Sequence, residues 1–263
     1  MARLSLEARL TWRALRAWFT VYRRIWRSSV FSSVLGPVLY LGAMGFGLGS
    51  LVNKHGTAGI GGVPYLEFLA PAILAVQAMQ SALAEATFPV YGAVKWDYRY
   101  VAARATPLRP VDIYRGHVLF IGIRLVMTSA IFLAVAAAFG SVPSPWAVAA
   151  LPAAVLTGLA FAAPIAAWAI TVRRDTAFNY AFRFGMTPLM LFSGTFFPLS
   201  RLPGWLRLIA YATPLWHGVA LCRALTLGTA TAGAVAIHVT YLLALTGAGL
   251  YAGGRVYARR LYA

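Results

Sequence analysis

Two charged residues stand inside otherwise apolar runs: Glu85 near the end of a run over 65–91, and Arg124 within another over 113–140. A carboxylate and a guanidinium at such positions can form an ion pair that fastens two helices or changes with conformational state. The plainer reading is that each reaches for the nearby interface, since Arg124 follows Arg115 by about 13 Å of helix. A second set is denser. Residues 92–112 carry Lys95, Asp97, Arg99, Arg104 and Asp112 among Trp96, Tyr98 and Tyr100, the mixture of charge and aromatic surface expected of a loop that docks on another protein. His217 follows Trp216, which suits a substrate headgroup contact or, more simply, an aromatic belt at the membrane boundary. His117 and His238 read as helix-packing residues.

Neither set is equipped for covalent chemistry. No Ser, His and Asp set, no paired carboxylates and no His-x-x-Glu cluster falls at one depth of the apolar runs. The single cysteine, Cys222, excludes an intrachain disulfide and an all-Cys metal site, and the four histidines are too scattered to form a ligand cluster. A phosphate-cradling G-x-x-x-x-G-K-[ST] loop is missing, because the lysines are Lys54 and Lys95 and neither follows glycine. The expectation is a chain with no catalytic residue, metal or cofactor of its own.

The elements that position these groups are legible from hydropathy. With 60% hydrophobic and 11% charged residues, the chain cannot cover a water-soluble surface. Apolar runs of roughly 20 residues, the length that crosses a hydrocarbon core of about 30 Å, occur near 30–51, 65–91, 113–140, 146–172, 179–199 and 233–254. Hydrocarbon leaves no partner for an unpaired peptide group, so each run is predicted to be helical. The fold class expected is an all-α polytopic membrane protein with six transmembrane helices. Its net charge of +17 follows from topology and does not require nucleic acid. With the N-terminus inside, 18 Lys and Arg residues flank the cytoplasmic ends and four lie outside, Lys54, Arg201, Arg207 and Arg223. Both termini are therefore expected in the cytoplasm, and no cleavable signal peptide is apparent.

Residues 1–29 form a separate expectation. Leu6, Leu10, Leu15, Trp18, Tyr22, Ile25 and Trp26 alternate with arginines, a composition suited to an amphipathic interfacial helix preceding a membrane domain over 30–263. Between the fifth and sixth runs, residues 200–232 hold two short apolar stretches broken at Pro214, read as re-entrant helices on the outer side. The outer connections at 52–63, rich in glycine, and 141–145 are too small to be domains. Gly42, Gly45 and Gly49 provide close-approach spacing in the first span, expected to meet the fifth span within or across a dimer.

Several segments together resemble the ABC-2-type transporter permeases, and among them the nodulation-type lipo-oligosaccharide exporters. They are FSGTFFP at 192–198 with Leu202-Pro203 after it, ATPLWHGVALCRA at 212–224, YLEFLAP at 65–71 and ATPL at 105–108. The resemblance implies a bacterial inner-membrane exporter with two copies of this chain on two copies of a separate ABC ATPase, which would hold the ATP and Mg. It also implies that the loop 92–112 is the coupling element, with Asp97, Tyr98, Arg99 and Arg104 as its contact residues. Cargo contact would then fall to the inner faces of the first, second and fifth spans. Phe46, Phe192, Phe196 and Phe197 are the candidate lining for an amphipathic or lipid-linked cargo, a lipo-oligosaccharide, glycolipid, polysaccharide or hydrophobic drug. The alternative of an ion-driven secondary transporter finds no repeated halves to support it.

The charge asymmetry yields a direct test in a Cys222→Ser background. A cysteine placed at Ser200 is expected to react with a membrane-impermeant maleimide in intact cells, and one placed at Arg259 only after permeabilisation. Labelling of position 259 in sealed cells would invert the topology.

Overall fold

The computed structural model of the chain describes residues 2–54, 56 and 62–262, except for the side chains of residues 2–7, 25, 46, 104 and 262. It is all-helical, with no strand among the described residues, as a chain must be when lipid offers its peptide groups no partner. Five helical stretches are long and apolar enough to cross a membrane: Trp26–Lys54, Tyr65–Lys95, Pro110–Ala138, Pro145–Ala169 and Ala232–Leu261. The run predicted at 179–199 is different. It is helical over α8 (Thr176–Tyr180), a π-helical turn (Ala181–Met186) and α9 (Thr187–Phe192), 17 residues in all. That is about 25 Å of helix, short of a core of about 30 Å. Gly194 at φ +77° and Pro198, which has no N–H to continue a helix, account for the early end.

No break separates the N-terminal segment from the first span. Helix α1 (Ala2–Gly42) passes through a π-helical turn (Ala43–Leu48) into α2 (Gly49–Lys54). Its apolar stripe is used partly on protein. Leu10, Ala14, Leu15 and Trp18 are buried, and α1 packs along α6 (Pro110–Ala138). A Cβ on Gly116 would stand 2.6 Å from that of Ala14, so only glycine allows the two helices this approach. Trp18 stacks on His117 at 3.9 Å, whereas Trp12 and Trp26 remain exposed. The glycine-rich connection predicted over 52–63 lies largely outside the described residues.

Helix α3 (Tyr65–Ala86) is the axis of the bundle. Its first N–H is satisfied from across the preceding connection, where Asn53 Oδ1 accepts from Tyr65 N at 3.0 Å, and Glu67 complements the positive helix start. Buried residues surround it: Leu69, Ala72, Leu74, Ala75, Ala78, Met79 and Ala82 show no more than 1% exposure. It packs on α6, on α7 (Ala150–Ala169) and on α11 (Pro214–Leu227). Its apolar residues leave it little face for water, and its polar side chains Gln77, Gln80 and Glu85 are only partly covered. Beyond it come α4 (Phe88–Lys95), α5 (Arg99–Ala102), the peripheral α10 (Gly204–Tyr211) and α12 (Ala232–Tyr262). The break predicted at Pro214 falls between α10 and α11, where the Thr213 hydroxyl accepts the Trp216 N–H.

Helices α6, α7 and α12 lock at one point. The Tyr114 hydroxyl lies 2.9 Å from the carbonyl oxygens of both Ala163 and Gly249, and its single proton serves one at a time. A Cβ on Gly249 would meet Pro164 Cδ at 2.7 Å, and one on Gly253 would run into the Tyr114 ring. The pair is thus a small-xxx-small seam on α12. The glycines singled out in the first span behave differently. Gly45 faces Leu66 of α3, and Gly49 approaches the Met44 carbonyl of its own helix, so within the protomer this spacing serves contact with the second span and not the fifth. The π-helical turn rotates these positions relative to a regular helix, which a spacing rule does not anticipate.

The seam predicts different effects for substitutions at Gly253 and Gly247, six residues apart on α12. Gly253→Ala is expected to lower unfolding stability in detergent by about 1–3 kcal/mol through overpacking against Tyr114. Gly247→Ala has nothing within 4 Å of the added Cβ and should be neutral or slightly stabilising. Equal effects in a thermal unfolding assay would contradict the packing described.

Candidate functional site

The charged groups within the spans meet where α1, the end of α3 and the middle of α6 converge. Helix α3 ends at Ala86, and Thr87 adopts φ −103°, ψ −89° while its hydroxyl donates back to the Leu83 carbonyl at 2.8 Å. Pro89 then starts α4, leaving Glu85 just before the break. The structure brings Glu85 Oε1 to 3.1 Å from Arg124 Nη2, with the two side chains 20% and 15% exposed. Arg124 Nη1 also donates to Ser29 Oγ at 2.7 Å, and its guanidinium lies 4.8 Å from the centre of the Tyr22 ring. One arginine therefore ties α1 and α3 to α6. Its Nε is buried without a partner. The pairing offsets the cost of burying either charge, and removing one partner exposes that cost in full.

A cavity of about 320 Å³ opens beside this pair. Trp18, Tyr22, Phe88, Trp96 and Phe120 provide aromatic walls, and Glu85, Arg124, Asp97 and Arg99 supply charge. It joins the intramembrane pair to the loop 92–112. There the N–H groups of Trp96 and Asp97 both bond the Gly92 carbonyl, closing α4, and Tyr98 takes a left-handed φ of 54° that turns the chain into α5. Asp97 pairs with Arg99 at 3.1 Å, and the Arg99 guanidinium lies 4.7 Å from the centre of the Trp18 ring. Trp96 and Tyr98 are exposed. An exposed ion pair of this kind contributes about 0–1 kcal/mol, so Asp97 and Arg99 are cheaply released to another partner. The Arg104 side chain lies outside the described residues.

The remaining groups of the loop are structural. Asp112 is fully buried and accepts Arg109 Nε at 2.8 Å and Nη2 at 2.9 Å, forming the cap of α6 with Pro110 in its first turn. Tyr100 is buried, its hydroxyl 2.8 Å from His117 Nδ1, and burial pushes its phenol above the ordinary range. His117 is packed between this hydroxyl and Trp18.

The phenylalanines proposed from sequence lie elsewhere. Phe192 closes α9 and is 37% exposed, while Phe196 and Phe197 are half-buried in the turn that follows, and none lines the charged cavity. The Phe46 side chain lies outside the described residues. Two features of this region escaped the sequence reading. Arg223 of α11, counted there as an outer charge, donates from Nε to the Phe68 carbonyl at 3.0 Å and from Nη2 to the Gly194 carbonyl at 2.9 Å, pinning the 193–197 turn and α3 to α11. An arginine in an apolar helix without a nearby acid was the available signal. His217 and His238 lie 2.9 Å apart through their Nδ1 atoms, with Tyr241 stacked on His217 at 3.9 Å. Twenty-one residues separate them in sequence, so only the packing of α11 on α12 joins them.

With this geometry in view, the family model described as ABC-2 type transporter matches residues 9–227. Curated relatives named Nodulation protein J are similar over most of their length. The Sinorhizobium fredii protein is 31% identical over 233 residues, 86% of each chain. The Rhizobium leguminosarum bv. trifolii protein is 32% identical over 219 residues, 80% of this chain and 81% of that one. The Bradyrhizobium diazoefficiens protein is 28% identical over 251 residues, 93% and 94% of the two chains.

The Glu85–Arg124 geometry predicts a strongly non-additive pair. Arg124→Met alone is expected to destabilise by about 3 kcal/mol, because a mostly buried carboxylate is left unpaired. Combining it with Glu85→Gln should recover a substantial part of that loss in a double-mutant cycle of unfolding in detergent. Additive losses would show that the pair is two independent interfacial contacts.

Proposed function

Since the chain belongs to the ABC-2 type transporter family, whose members are membrane permeases, we propose that it is the membrane-spanning subunit of an exporter that moves an amphipathic or lipid-linked cargo out of the cytoplasm and is driven by a separate ABC ATPase. The observation that carries this reading is the extent of the match. It runs from residue 9 to residue 227, through the loop 92–112 and the outer helices, and so includes both the surface that would receive a force and the region where cargo would leave. The likeness to relatives named for nodulation favours a lipo-oligosaccharide or similar glycolipid among the possible cargoes.

Local structure supports the division of labour. Among the described residues, π-helical turns occur at Ala43–Leu48 and Ala181–Met186, one in the first span and one in the proposed fifth. Such turns break the regular ladder, and they recur where helices bend or bind. These are two of the three spans, the first, second and fifth, to which cargo contact was assigned from sequence. Both carry large apolar side chains uncovered within the protomer, including Phe31, Leu39 and Leu51 on the first and Tyr180 and Phe184 on the other. A second copy of the chain would cover part of that surface. The short helix 176–192 crosses as a sixth span if the 193–198 turn completes the distance to the outer face.

The outer helices support a re-entrant path. Near its C-terminal end α11 meets the 141–145 connection, where Ser144 N bonds the Thr226 carbonyl at 3.2 Å. Further back along α11, Gly218 packs directly on Thr157, about 10 Å along α7 from its start. Helix α11 therefore begins deep and rises toward the outer face. At the inner face, ATP-driven closure of the partner would act on the exposed Asp97–Arg99 edge, and the cavity behind it would carry the displacement to Glu85, Arg124 and α1. The amphipathic first part of α1, continuous with the first span and packed along α6, would turn Trp12 and Trp26 toward lipid.

The purified chain alone is expected neither to bind nor to hydrolyse ATP, whereas the complex with its ATPase should show vanadate-sensitive hydrolysis. In that complex, Asp97→Arg with Arg99→Asp should reduce cargo-stimulated hydrolysis several-fold while leaving membrane insertion intact. Gradient-driven transport by the isolated chain would refute the reading.

A further inference from the structure

Most of α3 is enclosed, but one strip of its second half is not. Gln77, Gln80 and Ser81 are half-buried and Ala84 is exposed, and their helical spacing places them on one face. The strip begins about 18 Å along the helix from Tyr65, and its polar part extends over about 6 Å, so it lies well inside the hydrocarbon. The first span meets α3 near its start, where Gly45 faces Leu66. The helix 176–192 runs alongside the later part, with Phe182 stacked on Phe88 at 6.4 Å and Met190 beside Gln80. Neither closes over the strip.

The polar groups on this face lack partners. Among the described residues the Gln77 carboxamide and the Ser81 hydroxyl make no hydrogen bond, and Gln80 has only the Met190 sulfur, a weak acceptor, 3.7 Å from its Nε2. An amide or hydroxyl left unpaired in hydrocarbon is costly, so a partner from outside these helices is required. The strip itself carries no charge. The nearest acid along α3, Glu85, is committed to Arg124 at 3.1 Å. One turn further on, Glu85 and Phe88 line the cavity of about 320 Å³, so the uncovered face opens onto a space instead of ending in a packed contact.

We propose that Gln77, Gln80 and Ser81 form a binding strip for a neutral, hydroxyl-rich headgroup on a lipid anchor, an oligosaccharide in chemical class. Each carboxamide offers two donors and an acceptor, and the hydroxyl acts as either, which matches the mixed donors and acceptors of a sugar. A phosphate would find no cation on this strip, and a purely apolar molecule would leave the three groups unpaired. The exposed Tyr180 and Phe184 of the neighbouring helix provide apolar surface for the anchor. That such a headgroup passes here as cargo rests on the function proposed above, and the strip then reads the sugar while the apolar helices accept any chain.

Native mass spectrometry of the full chain in detergent, with digalactosyl diacylglycerol or phosphatidylcholine of the same acyl chains added, tests the strip. The wild-type protein is expected to retain the glycolipid in preference, and Gln77→Leu with Gln80→Leu to weaken that retention about tenfold while leaving phosphatidylcholine retention unchanged. Gln77→Asn with Gln80→Asn, which keeps the amides on shorter stems, should preserve part of the preference. Equal retention of the two lipids by the wild type, an undiminished preference in the leucine variant, or equal loss of both lipids from it overturns the proposal. The same spectra report the ratio of dimer to monomer. A fall in the dimer fraction of the leucine variant also overturns it, by making the carboxamides a contact between copies. Vanadate-sensitive hydrolysis by the complex with the ATPase reports the exporter reading separately, so a hydrolysing complex whose permease shows no glycolipid preference removes the strip and keeps the exporter.

Discussion

A polar group surrounded by hydrocarbon has to find its partner inside the chain, and this requirement shapes nearly every specific contact in the bundle. Helices satisfy most of it locally. Long polar side chains add to this, at helix ends and at carbonyls within helices alike. Arg223 serves carbonyls at the start of α3 and in the turn after α9, Tyr114 reaches carbonyls of α7 and α12, and Asn53 takes the first N–H of α3. Each of these side chains is remote in sequence from the group it satisfies. Tertiary order is therefore enforced at helix ends as much as by the packing between them.

The packing itself is unequal in a way that suits a moving machine. Around α3, α7 and α11, small residues bring backbones close, as with Gly218 against Thr157 and Gly158 against Leu125 and the Ala78 carbonyl. These contacts leave little room for adjustment, because interiors packed to this density respond to small displacements by shifting as units. The first span and the helix 176–192 have the opposite character. Each is interrupted by a π-helical turn and keeps large apolar side chains uncovered. A rigid axis flanked by interrupted helices is a physical basis for the displacement proposed for this permease.

Charge is distributed with the same economy. The exposed pair Asp97–Arg99 and the enclosed pair Glu85–Arg124 face one cavity, yet they differ in what water allows them. Solvent competes for the first and makes it exchangeable. The second has few alternatives and fastens three helices. A displacement of the loop is felt by both, since Trp18 touches the Arg99 side and packs on His117 and Phe120 of α6.

Hydropathy alone determined that the chain is a helical membrane protein, where most of its spans lie and which ends are basic, because run length and charge asymmetry are one-dimensional properties that a bilayer reads directly. The order of short motifs was enough to indicate the transporter family. The candidate pair Glu85 and Arg124 was visible as two charges in apolar runs, and its 3.1 Å separation was decided by how α3 and α6 pack. Other features had no signature of that kind. The 17-residue length of the helix ending at Phe192 depends on a left-handed glycine and a proline within an apolar run that hydropathy reads straight through. The roles of Arg223, of the His217–His238 contact and of the Gly249–Gly253 seam arise from helices separated along the chain, as does the choice of Leu66 on the second span as the neighbour of Gly45 within the protomer. Spacing along one helix states which residues share a face, but what that face meets is set by the rotation and crossing of its neighbours, which only the assembled bundle decides.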